Sequence, residues 1–220
     1  MSADLTAGVA LLPVAVVSLR EVRTARELPF ASLPLLFALH QLTEALVWHG
    51  ASDYVSAGVQ HAAALIYVLF AYPVLPVLVP LAVLLLEPHG RRQRVAPFVL
   101  LGAVVAAYLL WAVLDGPLVV REEPHALVYG VGLTYGTMWA VLYVVAVIGP
   151  SVLSGYPSIV VFGLLNLVGL TVVAIVYVEA FASLWCVYAA LISTLVTVHM
   201  VLRRRLSDLH RLEGQALAPA

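Results

Sequence analysis

The sequence predicts an all-α membrane protein, a polytopic bundle of seven transmembrane helices. Three observations predict this fold class. The chain is 63% hydrophobic and only 10% charged, whereas a soluble domain carries roughly 25% charged residues. Its mean hydropathy is +1.04. Apolar runs of about 20 residues, the length that crosses a bilayer, recur along the whole chain.

The number of predicted spans depends on whether the third apolar run is one helix or two. It is long and contains Pro73, Pro76 and Pro80. Splitting it would leave halves of about 14 residues, which are too short to cross a bilayer, so we predict one helix kinked by proline. The predicted spans are then approximately residues 5–19, 29–49, 58–86, 97–115, 131–150, 157–177 and 181–202.

The arginines predict the orientation of the bundle. All 11 basic residues are arginine, and they concentrate between spans one and two, between spans three and four, and after span seven. With seven spans these segments share one side, and the positive-inside rule makes that side cytoplasmic. We therefore predict an outer N-terminus, a transmembrane domain over residues 1–206, a short cytoplasmic tail over 207–220, and a location in the inner (plasma) membrane.

Composition also excludes several classes of function. A net charge of −1 gives no case for nucleic-acid binding. The absence of lysine excludes a retinal Schiff base, and the single Cys186 excludes an intrachain disulfide. His40 and Glu44 are spaced as two metal ligands on one helix, with His61 as a third candidate, but no HExxH motif is present. We predict neither a metal site nor a cofactor.

A polar stripe crosses the second predicted span within the stretch FALHQLTEALVWHG. Residues three and four apart share a helix face, and the stripe consists of Phe37, His40, Gln41, Glu44 and Trp48. The opposite face is aliphatic. Since a carboxyl group is costly inside a membrane, Glu44 is predicted to face the bundle or a cavity and not lipid, roughly 7 Å below the outer end of the helix.

Two interpretations of Glu44 remain open at this point. Burial favours the neutral form of a carboxyl group, so Glu44 is a candidate proton donor, with His40 or Gln41 orienting it or returning its proton. Alternatively, the three polar side chains only tie helices together by hydrogen bonds. Intramembrane ionisable groups are functional by default, which favours the first interpretation.

Aromatic residues concentrate at the same outer level. They form either an interfacial aromatic belt or the wall of a cavity that opens outward beside Glu44. Two further acids at helix ends, Asp115 and Glu179, are either additional catalytic candidates or solvated caps. The predicted pocket residues are Phe37, Trp48, His61, Tyr67, Trp111, Tyr135, Trp139, Tyr177, Trp185 and Tyr188.

Two stretches carry a resemblance to known proteins. RELPFASLPLLFALHQLTEALVW and EAFASLWCVYAALIS resemble a group of small, uncharacterised bacterial seven-span membrane proteins. The chain is also similar in size and architecture to the integral-membrane terpene cyclases of meroterpenoid and indole-sesquiterpenoid pathways. That family has an essential acid in the second span, to which Glu44 corresponds. Its second acid lies in the last span, which carries none here; the nearest is Glu179.

The resemblance implies a proton-initiated cyclisation of a lipophilic, prenylated substrate. Such a reaction needs a protonated acid, a pocket poor in water and aromatic faces that stabilise a cation. The alternatives are a small-solute or proton-coupled transporter or channel, a ligand-binding membrane protein that uses the same stripe, and a structural protein in which the stripe only packs.

Overall fold

The computed structural model of the protein describes residues 2–51, 54–123, 126–176 and 181–203. The predicted tail over residues 207–220 lies outside the described residues, as do Tyr177 and Glu179.

Helices form most of the described chain, as the sequence predicts. The fold begins with α1 (Ser2–Arg20), a short α2 (Leu28–Ala31) and α3 (Leu33–Ala51). The next helices are α4 (Ala57–Leu69), α5 (Leu75–Leu86), α6 (Arg92–Asp115), α7 (Gly136–Val152), α8 (Pro157–Val176) and α9 (Phe181–Ile192). Helix resumes over residues 194–203, and we call Ser183–Arg203 the C-terminal helix.

Five of the described helical segments are long and apolar enough to cross a membrane. They are Leu28–Gly50, Ala57–Leu86, Arg92–Asp115, Pro157–Ile175 and Ser183–Arg203. The helix Gly136–Val152 is apolar but shorter, and Ser2–Arg20, which matches the first predicted span, is not among the five. The structure thus places a helical segment at each predicted span, while length and composition support five of them as spanning.

The proline-rich third segment is one helix with a π-helical turn. Phe70–Val74, which includes Pro73, joins α4 to α5 as a π turn. Proline lacks an N–H and cannot complete the normal i→i−4 ladder, so the backbone widens there. Because Leu75 N–H bonds the Phe70 carbonyl and Pro76 has no N–H, the Ala71 carbonyl has no partner in its own helix. Tyr143 Oη of α7 donates to it at 2.6 Å.

A β-hairpin after α6 is the main departure from the predicted all-helical chain. β1 (Val119–Glu123) pairs antiparallel with β2 (Ala126–Gly130), with Val119 opposite Gly130. The first four residues of β2 are buried, and β2 packs against α9. The predicted fifth span, 131–150, therefore starts later, at Gly136. The antiparallel pairing with β1 and the packing of β2 against α9 account for the difference.

The helices close into a ring. α1 packs against both α3 and α9. From α3 the ring continues to α4, which leads through the π turn into α5, and α5 packs against α6. α6 then packs against α7, α7 against α8, and α8 against α9. Small residues allow close approaches between helices: a Cβ on Gly102 of α6 would lie 1.8 Å from the Pro76 carbonyl oxygen of α5. The first and last helices are also tied directly, because Thr197 Oγ1 donates to the Val14 carbonyl at 3.2 Å.

Arginine-bearing segments meet at one end of this ring. Arg203, at the end of the C-terminal helix, lies 3.6 Å from the Glu27 carboxylate between α1 and α3. Arg91, just before α6, donates to the Gly155 carbonyl between α7 and α8. We call this the arginine end; the hairpin, which follows the other terminus of α6, lies at the opposite end.

Candidate functional site

The polar stripe of α3 faces the interior of the bundle. Glu44 and Gln41 are 0% exposed and His40 is 3% exposed. The opposite face carries Leu39 and Leu46, which are both about half exposed, at 49% and 46%. The helix therefore turns its one acidic side chain inward and its aliphatic side chains outward, which is the arrangement of least cost if the surroundings are hydrocarbon.

Aromatic rings stack in a column beside this stripe. The His40 ring lies 3.9 Å from the Tyr67 ring of α4, nearly parallel at 15°. Tyr67 stacks in turn on Tyr129 of β2, at 4.4 Å and 17°. Phe70, the first residue of the π turn, lies 4.8 Å from His40. Both faces of Tyr67 are thus covered by rings, so it positions its neighbours and offers no free face to a ligand.

The column and the acid together contain several polar atoms with no partner. We call His40, Gln41, Glu44, Tyr67 and Tyr129 the Glu44 cluster. Buried polar groups in native proteins are nearly always hydrogen-bonded, and exceptions need an explanation such as a ligand or a catalytic role. Within the described part of the chain, the following buried atoms have no hydrogen-bond partner: His40 Nε2, Gln41 Nε2 and Oε1, both Glu44 carboxyl oxygens, Tyr67 Oη and Tyr129 Oη.

Three side chains surround the Glu44 carboxyl without satisfying it. Ser183, at the start of the C-terminal helix, and Tyr67 are close enough to interact with the carboxyl group, but neither forms a hydrogen bond of good geometry with it. Asp4 of α1 acts on it electrostatically. Ser183 is 3% and Asp4 is 4% exposed, so among the described residues the carboxyl has buried polar neighbours but no side chain that forms an ion pair with it.

Tyr129 brings the hairpin into the cluster. Burial raises the pKa of its hydroxyl far above the usual range, so the hydroxyl keeps its proton and remains a donor. The Tyr129 backbone carbonyl accepts a hydrogen bond from Tyr72 Oη at 3.4 Å. The hairpin therefore covers the cluster with a protonated phenol.

A small apolar cavity lies further along α3. We call it the inner cavity; it has room for about one water-sized sphere. Phe37 lines it, two turns and about 10 Å along the axis from Glu44. Cys186, which interacts with both Tyr67 and Glu44, also lines it. The other aromatic lining residues are Phe162 and Trp185, and polar groups reach it from Ser151 and Asn166.

Several predicted site residues lie away from the Glu44 cluster. Trp111 is 57% and Tyr135 76% exposed. Asp115, the last residue of α6, and His61 on α4 are exposed as well. Trp139 is half-buried and stacks on Tyr108 at 4.0 Å, away from the column. The outer aromatic residues therefore do not converge on one wall, and several of them face outward.

The remaining predicted aromatic residues have other contacts. The Tyr188 ring packs so closely on Gly169 that a Cβ at that glycine would collide with it. The Tyr188 hydroxyl donates to the Leu165 carbonyl at 2.8 Å, so this residue ties α8 to α9. Trp48 is half-buried in the smaller hydrophobic cluster with Tyr67.

Four residues of the site were missed by sequence reasoning. Asp4 stands just before the first predicted span, and Ser183 and Cys186 carry no motif. Tyr129 falls between the fourth and fifth predicted spans. The sequence contains a usable signal for Asp4 alone, which is a lone acid at the start of an apolar run.

One family matches the sequence, over residues 1–211, and its description is "Family of unknown function (DUF6629)". The chain belongs to this family. No curated protein and no solved structure matches the chain. Membership assigns no activity, so the function has to follow from the geometry of the Glu44 cluster.

The Glu44 cluster brings a buried carboxyl group together with a buried imidazole, a buried amide and two buried phenols. A carboxyl group buried without a paired cation is kept neutral rather than ionised, and a neutral carboxyl can donate a proton. No group of three or more metal-ligating side chains occurs in the described segments.

Proposed function

We propose that the protein is a seven-span membrane enzyme that cyclises a prenylated, lipophilic substrate by proton transfer from Glu44. The N-terminus would lie outside and the arginine end in the cytoplasm, following the positive-inside rule. One observation carries the proposal: the Glu44 carboxyl is fully buried, and neither of its oxygens has a partner among the described groups. A carboxyl that only tied helices together would be bonded to them.

The reaction assigned to Glu44 is general-acid catalysis. A neutral carboxyl would protonate an epoxide oxygen or an alkene carbon of the substrate, and the resulting cation would be attacked by an internal double bond. Loss of a proton from the cyclised cation would restore the acid, directly or through Gln41, whose amide lies one turn away on the same face. Mass is unchanged, so the product is an isomer of the substrate.

Two further features support this chemistry. The stacked rings of His40, Tyr67 and Tyr129 keep water from the acid, which protects a cation from quenching. The inner cavity is lined by Phe37, Phe162 and Trp185, and aromatic faces stabilise cations. A prenyl chain is larger than this cavity, so its binding would displace some of the lining side chains.

The test compares products formed by membranes that contain different variants. Membranes are supplied with farnesylated and geranylgeranylated indoles and phenols, with and without terminal epoxides, and products are analysed by mass spectrometry. Wild type should give an isomer of unchanged mass. Glu44→Gln should lower its formation about 10²–10⁴-fold, the usual contribution of a general acid.

Glu87→Gln is the matched control for this test. Glu87 is equally buried, at 1% exposure, but it lies near the arginine end and accepts hydrogen bonds from Ser154 and the Gly155 N–H. Its replacement should leave product formation in folded protein unchanged. Normal turnover by Glu44→Gln, or the absence of product from the whole panel, would reject the proposal.

Proton transfer across the bundle is a second candidate function. It is favoured by the position of Ser151, whose hydroxyl is buried, unpartnered among the described groups and on the wall of the inner cavity. A relay would run from Glu44 through the cavity towards Ser151. Proton flux into liposomes that falls in both Glu44→Gln and Ser151→Ala would support it, and unchanged flux would exclude it.

A further inference from the structure

An open apolar groove runs along the outside of the bundle between its first and last helices. It encloses about 500 Å³ and is lined by Pro13, Val14 and Val17 of α1 and by Thr194, Val198 and Val201 of the C-terminal helix. This volume falls within the range of small-molecule sites, about 300–1,000 Å³. The groove lies on the outer face of the ring, separate from the Glu44 cluster.

The local backbone explains why the two helices leave this space. α9 ends at Ile192, and Ser193 interrupts the helix before residues 194–203. The Ser193 hydroxyl donates to the Ala190 carbonyl at 2.6 Å, which stabilises the interruption. Thr197 is tied to the Val14 carbonyl, so the floor of the groove is held in place, while valine side chains from both helices contribute to its walls.

The groove opens towards the arginine end of the bundle, where α1 ends at Arg20. This residue lies one turn beyond Val17 on α1, which places it on the groove face. It is exposed, as are Arg23 and Arg26 in the following loop. None of these three side chains forms an ion pair with a described residue, whereas Glu27, the buried acid of this loop, is engaged by Arg203 and by the Arg23 and Thr24 N–H groups.

We infer that this groove binds one anionic phospholipid of the cytoplasmic leaflet, with an acyl chain along the valines and the headgroup phosphate at Arg20. Exposed arginines at the cytoplasmic end of a membrane helix attract anionic headgroups, and guanidinium groups bind phosphate oxygens in a bidentate manner. The inference rests on the membrane orientation in the proposed function, but it does not depend on Glu44 or on cyclisation.

The experiment titrates the purified full-length protein in detergent with phosphatidylglycerol or phosphatidylcholine of identical chains, followed by native mass spectrometry. Phosphatidylglycerol should bind more tightly. Arg20→Gln should weaken it on the order of fivefold, the effect of about one arginine at a membrane surface, and should leave phosphatidylcholine unchanged. Val17→Phe, which fills the groove, should weaken both lipids.

Matched controls separate this site from general lipid contact. Val16→Phe adds the same ring to the neighbouring, equally exposed position outside the groove, and Arg94→Gln removes an exposed arginine elsewhere at the arginine end; both should bind like wild type. Val198→Phe fills the groove from the opposite wall if Val17→Phe does not fold. Glu44→Gln should bind lipid normally, so loss of cyclisation and loss of this site are distinguishable.

Any one of three results would overturn the inference. Equal binding of the two lipids would show that the groove has no preference for an anionic headgroup, and equal effects of Arg20→Gln and Arg94→Gln would leave only unspecific charge. Unchanged binding in both Val17→Phe and Val198→Phe would show that the groove is not where the lipid lies.

Discussion

The hydroxyl of Tyr143 should stabilise the fold more than an ordinary tyrosine hydroxyl because it satisfies a carbonyl that the π turn leaves without a partner. Tyr143 Oη donates to the Ala71 carbonyl at 2.6 Å, and both groups are buried. Leaving a buried acceptor unpaired costs about 1–3 kcal/mol, while hydrogen bonds between membrane helices contribute about 0.6 kcal/mol on average and at most about 1.7. Tyr143→Phe should therefore lower the free energy of unfolding by about 1–2 kcal/mol.

Tyr188→Phe is the internal control for this prediction. Its hydroxyl donates at 2.8 Å to the Leu165 carbonyl, which lies inside α8 and can also accept from the N–H four residues later. That carbonyl keeps a partner when the hydroxyl is removed, so the cost should stay below about 0.5 kcal/mol.

Unfolding by a denaturing detergent, monitored by circular dichroism in mixed micelles, measures both variants. A loss of about 1–2 kcal/mol corresponds to a roughly 5–30-fold change in the unfolding equilibrium, which such titrations resolve. Equal losses in the two variants, or no loss in Tyr143→Phe, would refute the argument that the π turn leaves the Ala71 carbonyl dependent on α7.

Three further predictions follow from individual contacts. Gly102→Ala should destabilise the protein by about 1–3 kcal/mol in the same detergent titration, because its Cβ would lie 1.8 Å from a backbone carbonyl; Gly58→Ala, which meets open space, should not. Tyr129→Leu should lose about 0.5–1.5 kcal/mol of ring stacking in that assay, whereas Tyr129→Phe keeps the stack and removes an unpartnered hydroxyl, so a comparable loss in Tyr129→Phe would contradict the stacking account. Trp111→Ala should leave product formation unchanged in the mass-spectrometric assay, because the side chain faces outward; a large loss would place Trp111 in the substrate pocket.

Hydrophobic patterning predicts the helices because a long apolar run inside a membrane can satisfy its backbone hydrogen bonds in few other ways. The positions of the predicted spans follow from this rule, including the single helix through Pro73, where the structure contains a π turn. The hairpin does not follow from this rule about apolar runs. Residues 119–130 are too few and too mixed to show a strand period, and β2 is buried by contacts with α4 and α9, both far away in sequence.

The candidate site likewise has one part that the sequence predicts and another part that it does not. The stripe of His40, Gln41 and Glu44 is a local pattern on one helix, so its shared face was readable from spacing alone. Which aromatic residues lie beside this stripe depends on how each neighbouring helix is rotated about its axis. The spacing of residues on a single helix does not give that rotation. Tyr67 points into the bundle and Trp111 points out of it, although both were predicted to line the same pocket.

The closure of the ring between the first and last helices has a consequence for biosynthesis. Asp4 and Glu44 emerge early from the ribosome, whereas Ser183 and the Thr197 contact to Val14 are made last. Until then the Glu44 carboxyl lacks one wall of its enclosure and would face lipid, translocon or water. Contacts between such distant parts of a chain form slowly. Assembly of the acid site is therefore tied to completion of the polypeptide, and a nascent chain stalled before Ser183 would present an unshielded acid that membrane quality control can recognise.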